Sequence, residues 1–275
     1  MFKLAILMTT FNRRETTLEC LETVKTCLLP NSINLKVILV DDNSTDGTVE
    51  SIKEKHPHVH IIQGSGKLFW NRGMRLAFLE AMKSKFDYYL WLNDDVLLKY
   101  DSINRIVIAA QKTNNNSIVV GSLQDPVTNV LTYGGVRRNS DWHPFKYELV
   151  IPSYESIEVD TMNGNLVLIS SKIAEKVGNL DGKFTHSMGD FDYGYRAKML
   201  GFSIIIAPNY FGTCPKNNIE KSWADTSLPR LIRWKLVNQP KGLPPNEWKV
   251  FARRYAGIFW PIYWMLPYLR IMLGR

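Results

Sequence analysis

The chain has 275 residues, enough to bury one large core or a domain with an appendage. Its formal net charge is +8, but residues 228–275 hold nine Lys or Arg against one acidic residue, and the rest is balanced. Because the excess basic charge is confined to this tail, a general nucleic-acid-binding function is disfavoured. Three cysteines without CxxC spacing argue against a disulfide framework and a zinc site, and fit a reducing compartment.

Short β-rich runs alternate with helical patterns through the first half of the chain. The apolar run at 4–8 is too short for the core of a signal peptide and predicts a first strand. The patterns that follow predict strands at 35–40, 59–63, 87–92 and 117–121, and helices at 14–28, 49–55, 71–84 and 102–113. Near-continuous apolar strands joined by helices are typical of a parallel sheet that is covered on both faces.

The second half is less regular. The segment "EVDTMNGNLVLIS" at 158–170 predicts one long strand, with helices at 171–177 and 190–200 and a strand at 202–207. After Pro208 the pattern dissolves into a basic, aromatic tail. We therefore predict an α/β fold, a single domain with a mostly parallel central sheet flanked by helices. The domain covers 1–215, with a nucleotide-binding half (1–121) and an acceptor and catalytic half (122–215), and the extension covers 216–275.

Polar residues follow three of the predicted strands. In an open parallel sheet these strand ends meet at the crevice that holds the ligand. The candidates for contacts to a nucleotide-linked donor at the first two strand ends are Thr9, Phe11, Asn12, Arg13 and Asp42. An acidic side chain such as Asp42 can accept the ring N–H of uracil or thymine, and Phe11 offers an aromatic face to the base.

The third strand end carries adjacent carboxylates, Asp94 and Asp95, which repel each other. The pair either begins a solvated loop or binds a cation that cancels the repulsion. A magnesium or manganese ion suits the second interpretation, because Mg²⁺ binds through one or two carboxylates together with substrate phosphates.

Two other segments are candidates for donor contacts. Lys67, Trp70 and Asn71 lie in a glycine-bearing loop that leads into a helix, a place suited to phosphate. The alternative is that Trp70 fills the core. Gly164 interrupts the predicted strand at 158–170, which indicates either a bulge or the close approach of a ligand, and we favour a wall of the sugar site.

Four segments resemble family 2 glycosyltransferases with the A-type, nucleotide-sugar-binding fold. They are "ILMTTFNR", "VILVDDNSTDGT", "LWLNDD" and "GDFDYGYRAKMLGF", and the resemblance extends from about Phe2 to Pro208. It implies that Thr9, Phe11 and Asp42 line the nucleoside pocket. It also implies that Asp94 and Asp95 form a DxD-type site for the diphosphate and the metal, with Asp95 as the more direct metal ligand.

The same resemblance makes Asp190 the aspartate of the family's Glu-Asp catalytic pair, although Gly189 stands where the family commonly has glutamate. An acceptor hydroxyl must lose a proton as it attacks the anomeric carbon, and a nearby carboxylate can take it. The alternative for Asp190 is an acidic residue favoured by the dipole at a helix N-terminus, and the two roles are compatible. Attack opposite the leaving diphosphate inverts the anomeric centre.

The leading function is an inverting, metal-dependent glycosyltransferase of surface polysaccharide synthesis, with a UDP- or dTDP-linked donor and a glycan or lipid-linked acceptor. A sugar-nucleotide pyrophosphorylase would need a Gly-rich, Arg-containing loop where this chain has "TTFNRRE". A non-catalytic glycan- or membrane-binding protein is disfavoured by the presence of Asp42, Asp95 and Asp190 together. A dehydrogenase is disfavoured because no GxGxxG follows the first strand.

The tail holds an uncharged, mostly apolar run at 256–269 that is interrupted by Pro261 and Pro267. It is too short to span a hydrocarbon core, which needs about 20 residues. Aromatic side chains suit the membrane interface, and flanking arginines attract anionic lipid. We predict peripheral attachment to the cytoplasmic face of the membrane. The alternative is a helix that packs on the domain.

Overall fold

The computed structural model of the protein describes residues 2–30, 33–217 and 220–274. The first half alternates strands and helices as predicted, with ends that shift by a few residues. Its elements are β1 (Phe2–Thr10), α1 (Arg14–Thr26), β2 (Ile33–Asp41), α2 (Thr48–Lys55), β3 (His60–Gln63), α3 (Phe69–Met82), β4 (Tyr88–Leu92), β5 (Leu97–Leu98), α4 (Ser102–Lys112) and β6 (Ser117–Gln124).

The second half contains more, and shorter, strands than the sequence predicts. Its elements are β7 (Leu131–Tyr133), β8 (Gly135–Arg138), β9 (Tyr147–Leu149), β10 (Ile157–Glu158), β11 (Thr161–Met162), β12 (Leu166–Ser170), α5 (Ser171–Val177), α6 (Gly189–Met199) and β13 (Ser203–Thr213). The single strand predicted at 158–170 is wrong. Asp160 leaves the sheet to accept hydrogen bonds from Arg138 N and Lys198 Nζ, and this break separates β10 from β11.

The central sheet has the strand order β10-β13-β6-β12-β4-β1-β2-β3, and β5 and β7 pair with β13 and β6. All strands along this row point the same way except β12, which lies antiparallel between β4 and β6, and β10 at the edge. The predicted α/β class with a mostly parallel sheet is therefore confirmed. A small second sheet has the order β11-β8-β9.

Each face of the central sheet is buried against its own layer of helices. Along β1, Leu4, Ile6 and Met8 pack into the core on the side of α1 and α4, and the alternate residues Ala5 and Leu7 pack on the side of α3 and α6. Burial on both faces explains why the strand is apolar along almost its whole length. The arrangement leaves the carboxyl ends of β1, β2 and β4 at one edge of the sheet.

The described part of the tail contains the α-helices α7 (Arg230–Val237), α8 (Pro245–Tyr255) and α9 (Trp260–Met272), and a short 3-10 helix (Gly257–Phe259) precedes α9. Their inner residues build a third apolar core with Phe184 and Tyr195 of the domain, and Phe251 is its most buried aromatic residue from the tail. The tail thus packs on the domain, as the alternative interpretation of the sequence has it. Among the helices of the described ranges, not one has the length and apolar character needed to cross a bilayer.

Candidate active site

The acid pair lies directly after β4, and Arg13 reaches it from the end of the neighbouring strand β1. Parallel pairing of the two strands brings their carboxyl ends side by side. Arg13 donates from Nη1 to Asp94 Oδ1 at 2.8 Å and from Nη2 to Asp95 Oδ2 at 2.9 Å. The structure therefore brings together three residues that the sequence assigns separately to the donor and metal site.

The two carboxylates differ in their surroundings. Asp94 is buried, and burial raises its pKa to about 6, against the lowering effect of the Arg13 guanidinium. Asp95 Oδ1 lies 3.4 Å from the Sγ of Cys214, which is buried at the end of β13. Cys214 is a neighbour that the sequence did not suggest.

Asp42 holds the loop that leads into α3. Its carboxylate accepts hydrogen bonds from the backbone N–H groups of Gly66 at 2.7 Å, Leu68 at 2.8 Å and Phe69 at 3.1 Å. A carboxylate has about four acceptor positions, so about one is left for a base. The same loop carries Lys67, which is exposed to solvent.

The other predicted nucleoside contacts line the edge of the sheet near this loop. Phe11 is 50% exposed, so its ring is available to a ligand. Asn12 has a left-handed backbone conformation. Its Oδ1 accepts a hydrogen bond from Thr45 N at 2.8 Å, which joins the loop after β1 to the loop after β2. Thr9 packs against α3 at Gly73, where a Cβ would lie 2.2 Å from Thr9 Oγ1.

A cavity of about 390 Å³ lies beside the acid pair. Predicted site residues in its lining are Trp70, Gly164 and Asp190. The sequence analysis did not identify most of the aromatic wall, which comes from β7, β9, α6 and α8 and consists of Tyr133, Tyr147, Phe191, Trp248 and Phe251. Two of these residues belong to α8, so the tail contributes to the cavity directly.

Trp70 lies between Asn93, the residue before the acid pair, and Gly164, whose backbone N–H holds Asp190. Its Nε1–H donates to Asn93 Oδ1 at 2.7 Å, one residue before Asp94. The far edge of its ring lies over Gly164, where a Cβ would come within 2.4 Å of Trp70. The glycine is therefore needed for the close approach of the indole, which also forms the cavity wall.

Asp190 is the second residue of α6, and its carboxylate is held by backbone amides. Gly164 N donates to Oδ2 at 3.0 Å, and Phe191 N donates to Oδ1 at 2.9 Å. Burial raises the pKa of Asp190 to about 6, and the two backbone hydrogen bonds oppose the rise. A carboxylate with this pKa is ionised at neutral pH yet readily accepts a proton.

The neighbouring Asp192 has a structural role, because it holds α6 and the tail together. It is fully buried and accepts hydrogen bonds from Arg196 Nε at 2.8 Å, Tyr255 Oη at 2.7 Å and an Nη atom of Arg254. Arg254 also donates to Asp181 Oδ2 at 2.7 Å. These contacts fasten α8 of the tail to the helix that carries Asp190.

Asn71 is fully buried and does not reach the cavity surface, contrary to its assignment as a donor contact. Its Nδ2 donates to the backbone oxygens of Asp181 at 2.9 Å and Phe184 at 2.6 Å. A Cβ on Gly189 would lie 1.7 Å from Asn71 Oδ1. Asn71 thus fills the space that a side chain at 189 would need, which gives a physical reason for the glycine.

The acid pair fits a metal ion that is shared with a ligand. Within the described residues no cluster of three or more His, Cys, Asp and Glu is arranged to hold a metal ion. Asp94 and Asp95 supply the one or two carboxylates through which Mg²⁺ binds alongside substrate phosphates. The guanidinium between them is itself a cation, which indicates that the pair accommodates positive charge.

The sequence pattern of "Glycosyl transferase family 2" matches residues 5–178. Two curated proteins from Mycobacterium tuberculosis strains, each named N-acetylglucosaminyl-diphospho-decaprenol L-rhamnosyltransferase, are similar to this chain. Each is 23% identical in an alignment 200 positions long, which covers 64% of this chain and 64% of the relative. The matched region thus spans under two thirds of the length of these relatives.

Solved structures share the fold at low sequence identity. S. aureus TarS, residues 1–349 in complex with UDP, has a TM-score of 0.58 at 12% identity, covering 92% of this chain and 70% of the other. GalNAc-T7 with UDP, GalNAc and Mn²⁺ has a TM-score of 0.60 at 16% identity, covering 75% and 42%. At such identities the likeness concerns the fold alone.

Proposed function

Because the chain belongs to glycosyl transferase family 2, we propose that it is an inverting glycosyltransferase. It moves a sugar from a UDP- or dTDP-linked donor to a glycan or lipid-linked acceptor in the synthesis of surface polysaccharide. The observation that carries the proposal is the position of Asp190, which lines an aromatic cavity whose wall also contains Trp70 and Asn93, the residue before the acid pair.

The chemistry assigned to Asp190 is that of a general base. An acceptor hydroxyl in the cavity passes its proton to the carboxylate as the oxygen attacks the anomeric carbon. The carbon–oxygen bond to the diphosphate breaks on the opposite face, so the configuration inverts. The two backbone N–H groups that hold Asp190 fix its direction, and a positioned base of this kind contributes about 10²- to 10⁴-fold in rate.

The donor diphosphate belongs beside the acid pair. Asp95 and Asp94 would hold a Mg²⁺ or Mn²⁺ ion, which supplies positive charge for the departing diphosphate when it is bound. Thr9, Phe11, Asn12 and Asp42 lie at the adjacent strand ends, where they are assigned to the nucleoside. The UDP bound to TarS and the UDP and Mn²⁺ bound to GalNAc-T7 support this assignment by analogy.

The acceptor side of the cavity is built from aromatic rings and a few polar groups, the combination that suits small-molecule sites. Tyr147 and Phe191 contact each other edge to face at 5.2 Å between ring centroids, and Phe145 packs on Trp248 at 4.6 Å. Aromatic faces give a sugar ring apolar contact while its hydroxyls reach polar atoms. His186 lines the same wall and, because burial lowers its pKa to about 4, is neutral there.

The outer side of the tail is suited to a membrane surface. Apolar residues repeat along one stripe at Ile258, Ile262, Met265, Leu269 and Met272, and these side chains are between 43% and 84% exposed. Their spacing of three or four residues places the last four on one side of α9, and Ile258 lies in the short 3-10 helix Gly257–Phe259 that precedes α9. We call this set the outer stripe.

Basic charge accompanies the outer stripe. Arg253 and Arg270 are exposed near it, and the tail as a whole carries the net charge of +8. Each Lys or Arg close to an anionic leaflet contributes about 1 kcal/mol of attraction. The proposed location is therefore the cytoplasmic face of the membrane, where a lipid-linked acceptor is within reach. The name of the mycobacterial relatives, which specifies a diphospho-decaprenol substrate, is consistent with it.

The transfer proposal is tested with a panel of UDP- and dTDP-sugars, Mn²⁺ and the slow hydrolysis of the donor as readout. Asp190→Asn should keep donor affinity and lose at least about 100-fold in turnover. Asp95→Asn should lose Mn²⁺-dependent donor binding, and the exposed Asp141→Asn should change neither. Turnover by Asp190→Asn within a few-fold of the wild type would refute the base assignment.

Membrane attachment is tested by substitution rather than by deletion. Removing residues 250–275 would also remove Phe251 and Arg254 from the domain contact, so loss of binding could not be separated from unfolding. Ile258→Ser with Ile262→Ser should instead reduce sedimentation with anionic vesicles and leave the melting temperature unchanged. Val127→Ser is the matched control, since Val127 is 85% exposed and Ile258 is 84% exposed. Equal sedimentation of all variants would overturn the attachment.

A further inference from the structure

Arg13 bridges the acid pair from its solvent side. Each carboxylate receives one nitrogen of the guanidinium, at 2.8 Å for Asp94 and 2.9 Å for Asp95. The side chains of Asp94 and Asp95 are 5% and 11% exposed, whereas that of Arg13 is 44% exposed. The arginine therefore covers the two acids, and its own outer side remains open to solvent.

The remaining carboxylate oxygens of the pair also have protein neighbours. Asp94 Oδ2 lies 3.5 Å from Thr17 Oγ1, and Asp95 Oδ1 lies 3.4 Å from Cys214 Sγ. All four oxygens of the pair thus contact protein atoms in this conformation. A divalent ion that binds the pair must take oxygens that Arg13 holds, and two cations cannot share that position.

The charges suggest where Arg13 goes. Two carboxylates and one guanidinium carry a net charge of −1. A divalent ion brings +2 and the diphosphate of a donor brings roughly −2, so their joint arrival leaves this net charge unchanged. The displaced guanidinium then lies next to the diphosphate. Arginine binds phosphate oxygens through two parallel N–H···O hydrogen bonds.

We propose that Arg13 is an exchangeable counter-ion. It neutralises Asp94 and Asp95 in the resting enzyme, and it moves to the donor diphosphate when a divalent ion binds the carboxylates. The proposal rests on the metal-dependent transfer proposed above and adds a reason why metal and donor bind together. In the resting protein Arg13 competes with the metal, and in the complex it retains the donor.

The exchange predicts two effects of opposite sign when Arg13 is removed. Mn²⁺ alone should bind Arg13→Ala more tightly than the wild type, by about five- to tenfold, because the competing cation is gone. UDP in saturating Mn²⁺ should bind the variant about tenfold more weakly, because the contact to phosphate is gone. An arginine that merely supported the loop would, when removed, weaken both.

Titration calorimetry measures both affinities above pH 7, where Asp94, whose pKa burial raises to about 6, is ionised. Arg13→Gln repeats the test with a longer side chain in case the alanine variant does not fold. Arg13→Lys keeps the positive charge but loses the planar guanidinium, so its affinities for Mn²⁺ and for UDP should lie between those of these variants and the wild type. Arg14→Ala is the matched control, because Arg14 is the next residue, is 47% exposed and pairs with Glu15 rather than with the acid pair.

The outcomes separate this proposal from the one on which it rests. Tighter Mn²⁺ binding together with weaker UDP binding by the Arg13 variants, with Arg14→Ala unchanged, supports the exchange. Mn²⁺ binding by the wild type that is equalled or weakened in the variants overturns the exchange alone. Absence of Mn²⁺ binding in the wild type, with or without UDP, overturns the metal dependence and the exchange with it.

Discussion

Replacing Gly189 by alanine should destabilise the protein although alanine normally favours a helix. Gly189 begins α6 with a backbone that does not require glycine, so in open space the change would stabilise the helix by about 0.5–1 kcal/mol. Here the new Cβ would lie 1.7 Å from Asn71 Oδ1 and 2.5 Å from Asn71 Cγ. Asn71 is fully buried and cannot turn outwards, so the clash must be relieved within the core.

The magnitude follows from what Asn71 does. Moving it breaks its hydrogen bonds to the oxygens of Asp181 and Phe184, which are worth about 0.5–1.5 kcal/mol each. Overpacking of a filled core adds about 1–3 kcal/mol. With the helix gain subtracted, we expect the free energy of unfolding to fall by about 1–5 kcal/mol, with a central value of about 3 kcal/mol.

Urea unfolding followed by far-UV circular dichroism measures the change. A double-mutant cycle also needs Asn71→Ala and the double variant Gly189→Ala/Asn71→Ala, in which the alanine at 189 has room. The double variant should be no less stable than Asn71→Ala, with a coupling energy of about 2 kcal/mol between the two sites. Gly182→Ala is the control, because a Cβ there comes no closer than 3.4 Å to Arg75.

Two results would refute this reasoning. One is an unfolding midpoint of Gly189→Ala equal to that of the wild type, and the other is simple additivity of the two substitutions. If the coupling is found, a glutamate at 189, as the family commonly has there, cannot be introduced without also shortening Asn71. The departure at Gly189 is then one half of a compensating pair.

Three further predictions concern the helix α6 and the residue that links it to the acid pair. The single-turnover rate of the donor-saturated enzyme should fall about tenfold per pH unit below about pH 6, because protonated Asp190 cannot accept a proton; a flat pH–rate profile would exclude it as the base. Asp192→Asn should lower the free energy of unfolding in urea by about 2–3 kcal/mol, since partly exposed Arg254 loses a buried charged partner. Trp70→Phe should cost about 1 kcal/mol in the same assay, because Asn93 loses a hydrogen bond; unchanged stability would show that the bond contributes nothing.

The sequence predicts the strands and helices of the first half well because each is specified locally. The run at β4 is buried on both faces and is apolar at every position, so no tertiary information is needed to recognise it. The tail is different. Trp248 and Phe251 lie on a helix whose partners, Phe184 and Tyr195, are more than fifty residues away, and the interspersed prolines and polar residues conceal its periodicity.

Some features of the candidate site can likewise be predicted from the sequence, and others cannot. Asp94 and Asp95 follow directly from their place at a strand end, and parallel pairing with β1 brings Arg13 to them. Contacts between distant segments have no signal in a single sequence. The approach of Trp70 to Gly164 depends on how the first turn of α3 meets the loop between β11 and β12, and nothing in their spacing along the chain encodes it.

The attachment of α8 to Asp192 determines how far Asp190 lies from a membrane that the tail binds. Arg254 and Tyr255 bind α8 to Asp192, two residues from Asp190, so the tail is attached to the helix that carries the base. If the outer stripe lies on a bilayer as proposed, Asp190 stands at a constant elevation above the lipid headgroups. An acceptor must then present its hydroxyl at that elevation. The protein then selects acceptors by the length of the link between the lipid and the reactive sugar, independently of which sugar it is.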